Sequence, residues 1–336
     1  MWEISLFSDD IYSRDRSFEA NLALLQRLGV RYTELRIIDG VNILDLSDED
    51  LNGVKRMLAK YGMKVAGLAT PLFKCSLRNP QGPAWGSRHG FKRELSYQEH
   101  AALLPRAFQI ADKLGATNIR CFPFWREFRL EDVLDEVLDK LGRAAEVAGR
   151  SGHALALENE HNQLAATGVE LARLLKAINS PYMKGIYDLG NSWRRGGIPY
   201  PDDVNALKGL ITHVHVKPEV IEIACGCTTH SGPTVKDDEG GFCLRFVGDW
   251  DRTETPISGR LTIGGTTVEI VGRKTFVPVT DTVYIDHRAV LAALKRDGYT
   301  GFIAIDSDYR GPEAEINLQR SVESLRALIA DVWDRS

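Results

Sequence analysis

Apolar positions along this chain alternate between two patterns, short continuous runs and longer stretches with a helical repeat. Glu3 to Phe7, Tyr32 to Ile38, Lys64 to Leu68 and Asn118 to Phe122 read as strands. Two further runs end in Glu158 and Asp188, and His213 to Val216 and Gly301 to Asp306 bring the set to eight. Between them the 3.6-residue period predicts helices over Phe18 to Leu28, Ser47 to about Tyr61, Tyr97 to Leu114 and Leu130 to about Arg150. Others follow near Val169 to Ile178, in a shorter piece after Pro201, over Arg288 to Lys295 and over Asn317 to Trp333. Gly29, Gly62 and Gly115 close three of these helices, and Ser47-Asp-Glu-Asp supplies a cap and three acids at the positive end of another. Short strands that are apolar throughout are buried on both faces, as in a parallel sheet. Eight strand–helix units predict an α/β chain folded as a closed (β/α)8 TIM barrel. An open, doubly wound sheet is the alternative, but no Gly-rich phosphate turn follows the first strand.

One interval breaks the rhythm. From His215 to Asp306 is 91 positions, where one unit takes roughly 30. The excess falls between Pro218 and Thr280, where the period changes to two: Phe242, Leu244 and Phe246 alternate, then Leu261 and Ile263, then Val268 and Ile270. Gly264-Gly265 separates the last two runs as a hairpin turn. The expected division is therefore a barrel over 1–217 and 281–336, with a β-rich insertion over 218–280 after the seventh strand. Loops after barrel strands emerge on the active-site face, and exposed strand edges recruit a covering chain. The insertion is expected to act as a lid or as an interface, in a homo-oligomer or with a small partner subunit. A long loop from Pro71 to about Glu94, holding Trp85 and His89, has the aromatic and charged content of a functional loop.

Composition narrows the class without choosing a function. A hydrophobic content of 43% with 26% charged residues is that of a globular protein, and a net charge of −4 gives no basic face for nucleic acid or a membrane surface. No apolar run reaches the roughly 18 residues of a membrane span, and the N-terminus enters a strand pattern without a signal core. Five scattered cysteines argue against a disulfide framework and for a cytoplasmic setting.

The candidate chemistry lies in three strand ends: A-L-A-L-E-N-E-H (154–161), G-I-Y-D-L-G-N (185–191) and H-V-H-V-K (213–217). Residues two apart share a strand face, so Glu158 pairs with Glu160, Asp306 with Asp308, and His213, His215 and Lys217 form one row. A Glu, an Asp, a His and another acid on four consecutive strand ends make an oxygen-rich site with one imidazole. Such a set suits one divalent ion, with Mn²⁺ favoured and Mg²⁺, Co²⁺ or Zn²⁺ as alternatives. A salt-bridged barrel mouth without metal is the competing reading. Cys225-Gly-Cys227 with His230 lacks the second pair of a structural zinc site and reads better as a loop with small thiols. Arg194-Arg195 reads as a solvated turn before it reads as an anion site.

The motifs A-L-E-N-E-H, Y-D-L-G-N, H-V-H-V-K and G-Y-T-G-F-I-A-I-D, the last preceded by Y-I-D-H-R-A-V-L-A-A-L, resemble those of the xylose isomerase-like superfamily of sugar-phosphate isomerases and epimerases. The resemblance covers nearly the whole chain outside the insertion. It implies metal ligation by Glu158, Asp188, His215 and Asp306. The eighth-strand ligand is usually Glu, so Asp306 is a shorter arm. The residue three after Asp188, often His in sugar epimerases, is Asn191, which cannot shuttle a proton near neutral pH.

What the resemblance implies for activity is proton abstraction next to a carbonyl through a metal-stabilised enediolate. Glu158 and Asp306 would move the proton, and Lys217 would neutralise oxyanion charge. Glu160, His161, Asn191 and His213 are the expected substrate contacts, with Phe124 and Trp193 in an aromatic wall that also draws on Phe122 and Trp125. The substrate is expected to be a small sugar or keto-glycoside. The leading reading is thus a sugar isomerase or epimerase. The alternative is a lyase of the same superfamily, a 3-oxo-glycoside deglycosidase or keto-polyol dehydratase acting by β-elimination. A degenerate binding module would not need ligands on four strands, and a repair endonuclease would want a multi-metal set and a basic face.

Overall fold

The computed structural model describes residues 1–11, 16–78, 94–217, 219–225, 257–263, 266–276, 285–306, 309 and 311–334. Strand and helix alternate from the start: β1 (Ile4–Phe7), α1 (Phe18–Arg27), β2 (Tyr32–Leu35), a small hairpin of β3 (Ile37–Ile38) and β4 (Val41–Asn42), α2 (Asp48–Lys60) and β5 (Lys64–Leu72). Next come α3 (Tyr97–Ala102), α4 (Leu104–Leu114), β6 (Asn118–Cys121), α5 (Leu130–Arg150), β7 (Leu155–Glu158), α6 (Gly168–Ile178) and β8 (Met183–Asp188). Then α7 (Leu189–Arg194), α8 (Val204–Ala206) and β9 (Ile211–Val216) lead to β10 (Glu219–Cys225), β11 (Ile257–Ile263) and β12 (Thr266–Phe276). The chain closes with α9 (His287–Arg296), β13 (Phe302–Ile305) and α10 (Ala314–Asp334).

Eight strands form a closed barrel in the order β1-β13-β9-β8-β7-β6-β5-β2, with every neighbour parallel. The helices bury one stripe each against it. In α5, Leu130, Val133, Val137, Leu141, Ala144, Ala145 and Ala148 are buried at three- and four-residue intervals. Capping boxes start α2, at Ser47 and Asp50, and α6, at Thr167 and Glu170.

Three local readings are corrected. The strand expected over 32–38 stops at Leu35, because Asp39 and Gly40 take positive φ of 46° and 82° and turn Ile37–Ile38 back on Val41–Asn42. The single helix expected over 97–114 breaks at Leu103, where Pro105 removes a donor and starts α4 afresh. A helix the sequence pattern did not suggest, α7, begins directly at Asp188, whose carboxylate caps it through the Asn191 N–H.

Among the described residues that follow β9, the strands β10, β12 and β11 form a separate three-stranded antiparallel sheet, with Ile263 opposite Thr266. The expected alternation at Phe242, Leu244 and Phe246 lies outside the described residues, as do Trp85, His89, Cys227, His230 and Asp308. Cys75 and Cys121 are buried free thiols. Among the described residues no helix is long and apolar enough to cross a membrane.

Candidate metal centre

The row of alternate residues on β9 runs up the barrel interior as three polar layers. At the floor, His213 is fully buried; its Nε2 lies 2.9 Å from Glu34 Oε1 and its Nδ1 3.4 Å from Asn118 Nδ2. One layer up, His215 sits between two carboxylates, Nε2 at 3.3 Å from Glu34 Oε2 and Nδ1 at 2.8 Å from Glu158 Oε1. Above it the Lys217 ammonium stands 2.9 Å from Asp188 Oδ2 and 2.5 Å from Asp306 Oδ2. Strand register brings these together. Asp188 pairs with His215 across β8 and β9, Glu158 ends β7, and Asp306 follows β13 with its N–H bonded to Val216 O. All four stand at the C-terminal end of the barrel, where (β/α)8 enzymes carry their chemistry.

One ligand atom from each of Glu158, Asp188, His215 and Asp306 lies within 4.8 Å of all the others. Asp188 Oδ1 accepts the Asn191 N–H at 2.7 Å, while Oδ2 is buried with the Lys217 ammonium 2.9 Å away. The 2.8 Å between His215 Nδ1 and Glu158 Oε1 is near the separation of adjacent ligands around one ion, since two bonds of about 2.1 Å at a right angle span about 3 Å. Three carboxylates and an imidazole, buried or nearly so and gathered in one cluster, fit a divalent cation. Glu34, His213 and His215 form a second cluster of metal-ligand type beneath it. There each imidazole is already held by the Glu34 carboxylate and Ser5 Oγ closes the layer at 3.3 Å, which makes it the frame that orients His215.

The charges balance locally, and this sets the proton affinities. Burial alone would raise the Glu34 carboxyl, but His213 and His215 pull it far below its usual value. Burial would lower His215, and the paired Glu158 and Glu34 instead raise it well above an ordinary imidazole. Asp188 and Asp306 are pushed apart. Burial, with Asp306 and Glu158 close by, raises Asp188 despite Lys217. Asp306 falls far below the usual carboxylate value against burial, because Lys217 and Arg36 both face it. Environments that separate two neighbouring carboxylates in this way mark acid–base sites.

A ring of cations and aromatic faces surrounds the cluster. Arg120 donates to Glu158 Oε2 at 3.0 Å and lies over the Phe122 and Phe7 rings. Arg36 bonds Asp9 at 3.0 Å and approaches Asp306 at 3.6 Å. Lys74, after β5, pairs with Glu160 at 2.6 Å and lies 4.7 Å over Phe122 and 5.7 Å over Trp125. Against burial, Lys74 and His161 hold the Glu160 carboxyl down at about 2. Sequence reasoning did not assign Arg120 or Lys74. For Glu34 and Arg36 it had a signal, two charges inside an apolar strand.

Of the expected substrate contacts, Glu160 and His161, just after β7, and Trp193, within α7, are half-buried. Asn191 is nearly covered, and its amide donates to Asn159 O at 3.2 Å. Two placements differ from expectation. His213 is sealed in the floor by Glu34, and Phe124 is fully buried against Phe73 and Tyr97; neither presents a face to a ligand. Phe122 and Trp125 are also buried, with the Lys74 ammonium over their rings.

A family described as the xylose isomerase-like TIM barrel matches residues 22–328. The chain belongs to this family. Among solved structures it is similar to an IOLI protein with a bound zinc atom (TM-score 0.66, 16% identity, covering 98% of this chain and 99% of that one). It is also similar to a probable 3-DHS dehydratase from Bacillus anthracis (0.62, 15%, 96% and 98%). A third is the 3-keto-D-glucoside 4-epimerase of E. coli (0.58, 14%, 98% and 100%). At such identities the likeness carries the fold alone. No curated protein matches the sequence. Solved structures of this fold thus include an epimerase and a probable dehydratase, and this chain carries a candidate metal-binding set of Glu, Asp and His residues.

Proposed function

We propose that this chain is a divalent-metal-dependent sugar isomerase or epimerase that moves a proton on the carbon next to a carbonyl. The observation that carries the reading is the four-residue donor set, gathered within 4.8 Å at the C-terminal mouth. Glu158, Asp188, His215 and Asp306 would hold the ion, with Mn²⁺ the preferred occupant of so oxygen-rich a set. Once bound, a divalent ion supplies a Lewis acid that draws charge from the substrate carbonyl and the neighbouring hydroxyl. Glu158 and Asp306 approach the site from different strands and are the residues assigned to take and return the proton. Arg36 and Lys217 keep Asp306 ionised, and Arg120 pairs with Glu158 at 3.0 Å. Lys217 is the donor best placed for negative charge developing on a substrate oxygen. Glu160, His161, Asn191 and Trp193 border the space a sugar would fill. The three-stranded sheet after β9 is assigned a role as lid or as contact with a second subunit.

A second reading is supported by Asn191. A side-chain amide stands where sugar epimerases often carry a histidine, and its NH₂ is bonded to Asn159 O. After proton removal, an enolate without a proton donor on its far side can expel a β-substituent, giving a dehydratase or glycoside lyase. One experiment separates the readings. Incubation with keto-sugars and keto-glycosides in D₂O should place deuterium beside the carbonyl and stop with chelator. Exchange with the carbon skeleton intact supports the epimerase, and loss of the β-substituent supports the lyase. Turnover that survives chelation, or that shows neither exchange nor elimination, overturns both.

A further inference from the structure

Lys217 stands on the oxygens that a metal ion would need. Asp188 offers an ion only Oδ2, because Oδ1 is committed to the Asn191 N–H, and the Lys217 ammonium lies 2.9 Å from that Oδ2. The same ammonium holds Asp306 Oδ2 at 2.5 Å. Two of the four donor residues thus already share a cation of the protein's own. A divalent ion on these oxygens would sit at about 2.0–2.2 Å from each, leaving it and the ammonium within a few ångström of one another with like charge and no solvent between them. They exclude each other.

The lysine reaches this position because residue 190 has no side chain. A Cβ on Gly190 would come within 2.8 Å of Lys217 Cδ, 3.0 Å of Cγ and 3.1 Å of Cβ, and these are the nearest atoms it would meet. Gly190 lies inside α7 without a positive φ, so its lack of a side chain answers to the lysine stem lying across it. The alkyl chain is packed along this groove, and the ammonium is aimed into the donor set.

We propose that Lys217 is an internal counter-ion which competes with the divalent ion for Asp188 and Asp306, so that it sets the affinity of the centre. This rests on the metal reading given above. In the metal-free protein the ammonium balances the clustered carboxylates, and loading requires it to leave both. The freed ammonium is then available to the substrate at the mouth, which ties its catalytic role to the loaded state. Metal affinity should therefore be moderate in the wild type and rise when the lysine is removed or displaced.

The test is titration with Co²⁺, read by its d–d absorbance without any substrate, on wild type, Lys217→Met and Gly190→Ala. Lys217→Met should bind Co²⁺ at least tenfold more tightly than wild type. Without metal it should melt at lower temperature, because Asp188 and Asp306 lose their shared partner, and added Co²⁺ should raise its melting temperature by more than it raises that of wild type. Gly190→Ala keeps the charge but pushes the stem off its track, and should also bind more tightly; if Lys217→Met fails to fold, this variant decides. Unchanged or weaker Co²⁺ binding by the deciding variant overturns the competition while leaving the metal centre standing. A wild type and variants that all fail to bind Co²⁺ overturn the competition and the metal reading together.

Discussion

Glu34 shows how much of this site depends on a residue that would never touch substrate. Its two carboxylate oxygens hold His213 and His215 at 2.9 and 3.3 Å, and the hold on His215 Nε2 leaves Nδ1 as the nitrogen that faces Glu158. A carboxylate behind a metal-ligating histidine fixes its tautomer and ring angle, and its loss typically lowers metal affinity 10–100-fold. Glu34→Leu is therefore expected to weaken metal binding by about that factor in isothermal titration, and Glu34→Gln, which keeps an acceptor, by less. Equal affinity in Glu34→Leu would show that His215 needs no such support. Individual residues were legible where strand periodicity applied. Glu158, Asp188, His215 and Asp306 converge because each lies at or next to the C-terminal end of a parallel strand. What periodicity lacks is depth: it puts His213, His215 and Lys217 on one face but does not say that His213 is a floor residue and Lys217 a mouth residue.

At the scale of elements, the placement of Asp188 depends on α7 and on what grips it from behind. Asp203 accepts from Tyr187 Oη at 3.0 Å and from the Val169 N–H at 2.9 Å, and it also takes the Ser192 hydroxyl. One buried carboxylate thus ties the end of β8 and the middle of α7 to the start of α6. Asp203→Ala should cost about 2–4 kcal/mol, the scale for breaking a buried hydrogen-bond network, read as a shift in urea midpoint. It should also weaken metal binding, because α7 positions the Asn191 N–H against Asp188. Wild-type stability in this variant would remove Asp203 from the frame. The helix α7 escaped sequence reading because six residues are too few for a period to register. The break between α3 and α4 was visible as Pro105, but the continuous apolar pattern around it outweighed the signal.

For the molecule as a whole, the repeat of strand and helix was enough to announce a closed barrel, since eight buried parallel strands leave no edge. The insertion was expected from its length and its change of period, and among the described residues β11 and β10 both pair with β12 antiparallel. Its purpose was not legible, because a lid and an interface share the same pattern of half-covered strands. Glu219 and Phe276 face each other in register, so the whole sheet can be excised and its stumps joined by a short Gly/Ser linker. Excision is expected to lower turnover or reduce the oligomeric mass seen by light scattering, and an unchanged enzyme would make the sheet ornamental. The central claim stands on the barrel mouth, and metal content tests it most directly. Elemental analysis after equilibration with Mn²⁺ and gel filtration should find one divalent ion per chain in wild type and none in Asp188→Ala. No ion in wild type, or the same ion content in Asp188→Ala, would contradict it.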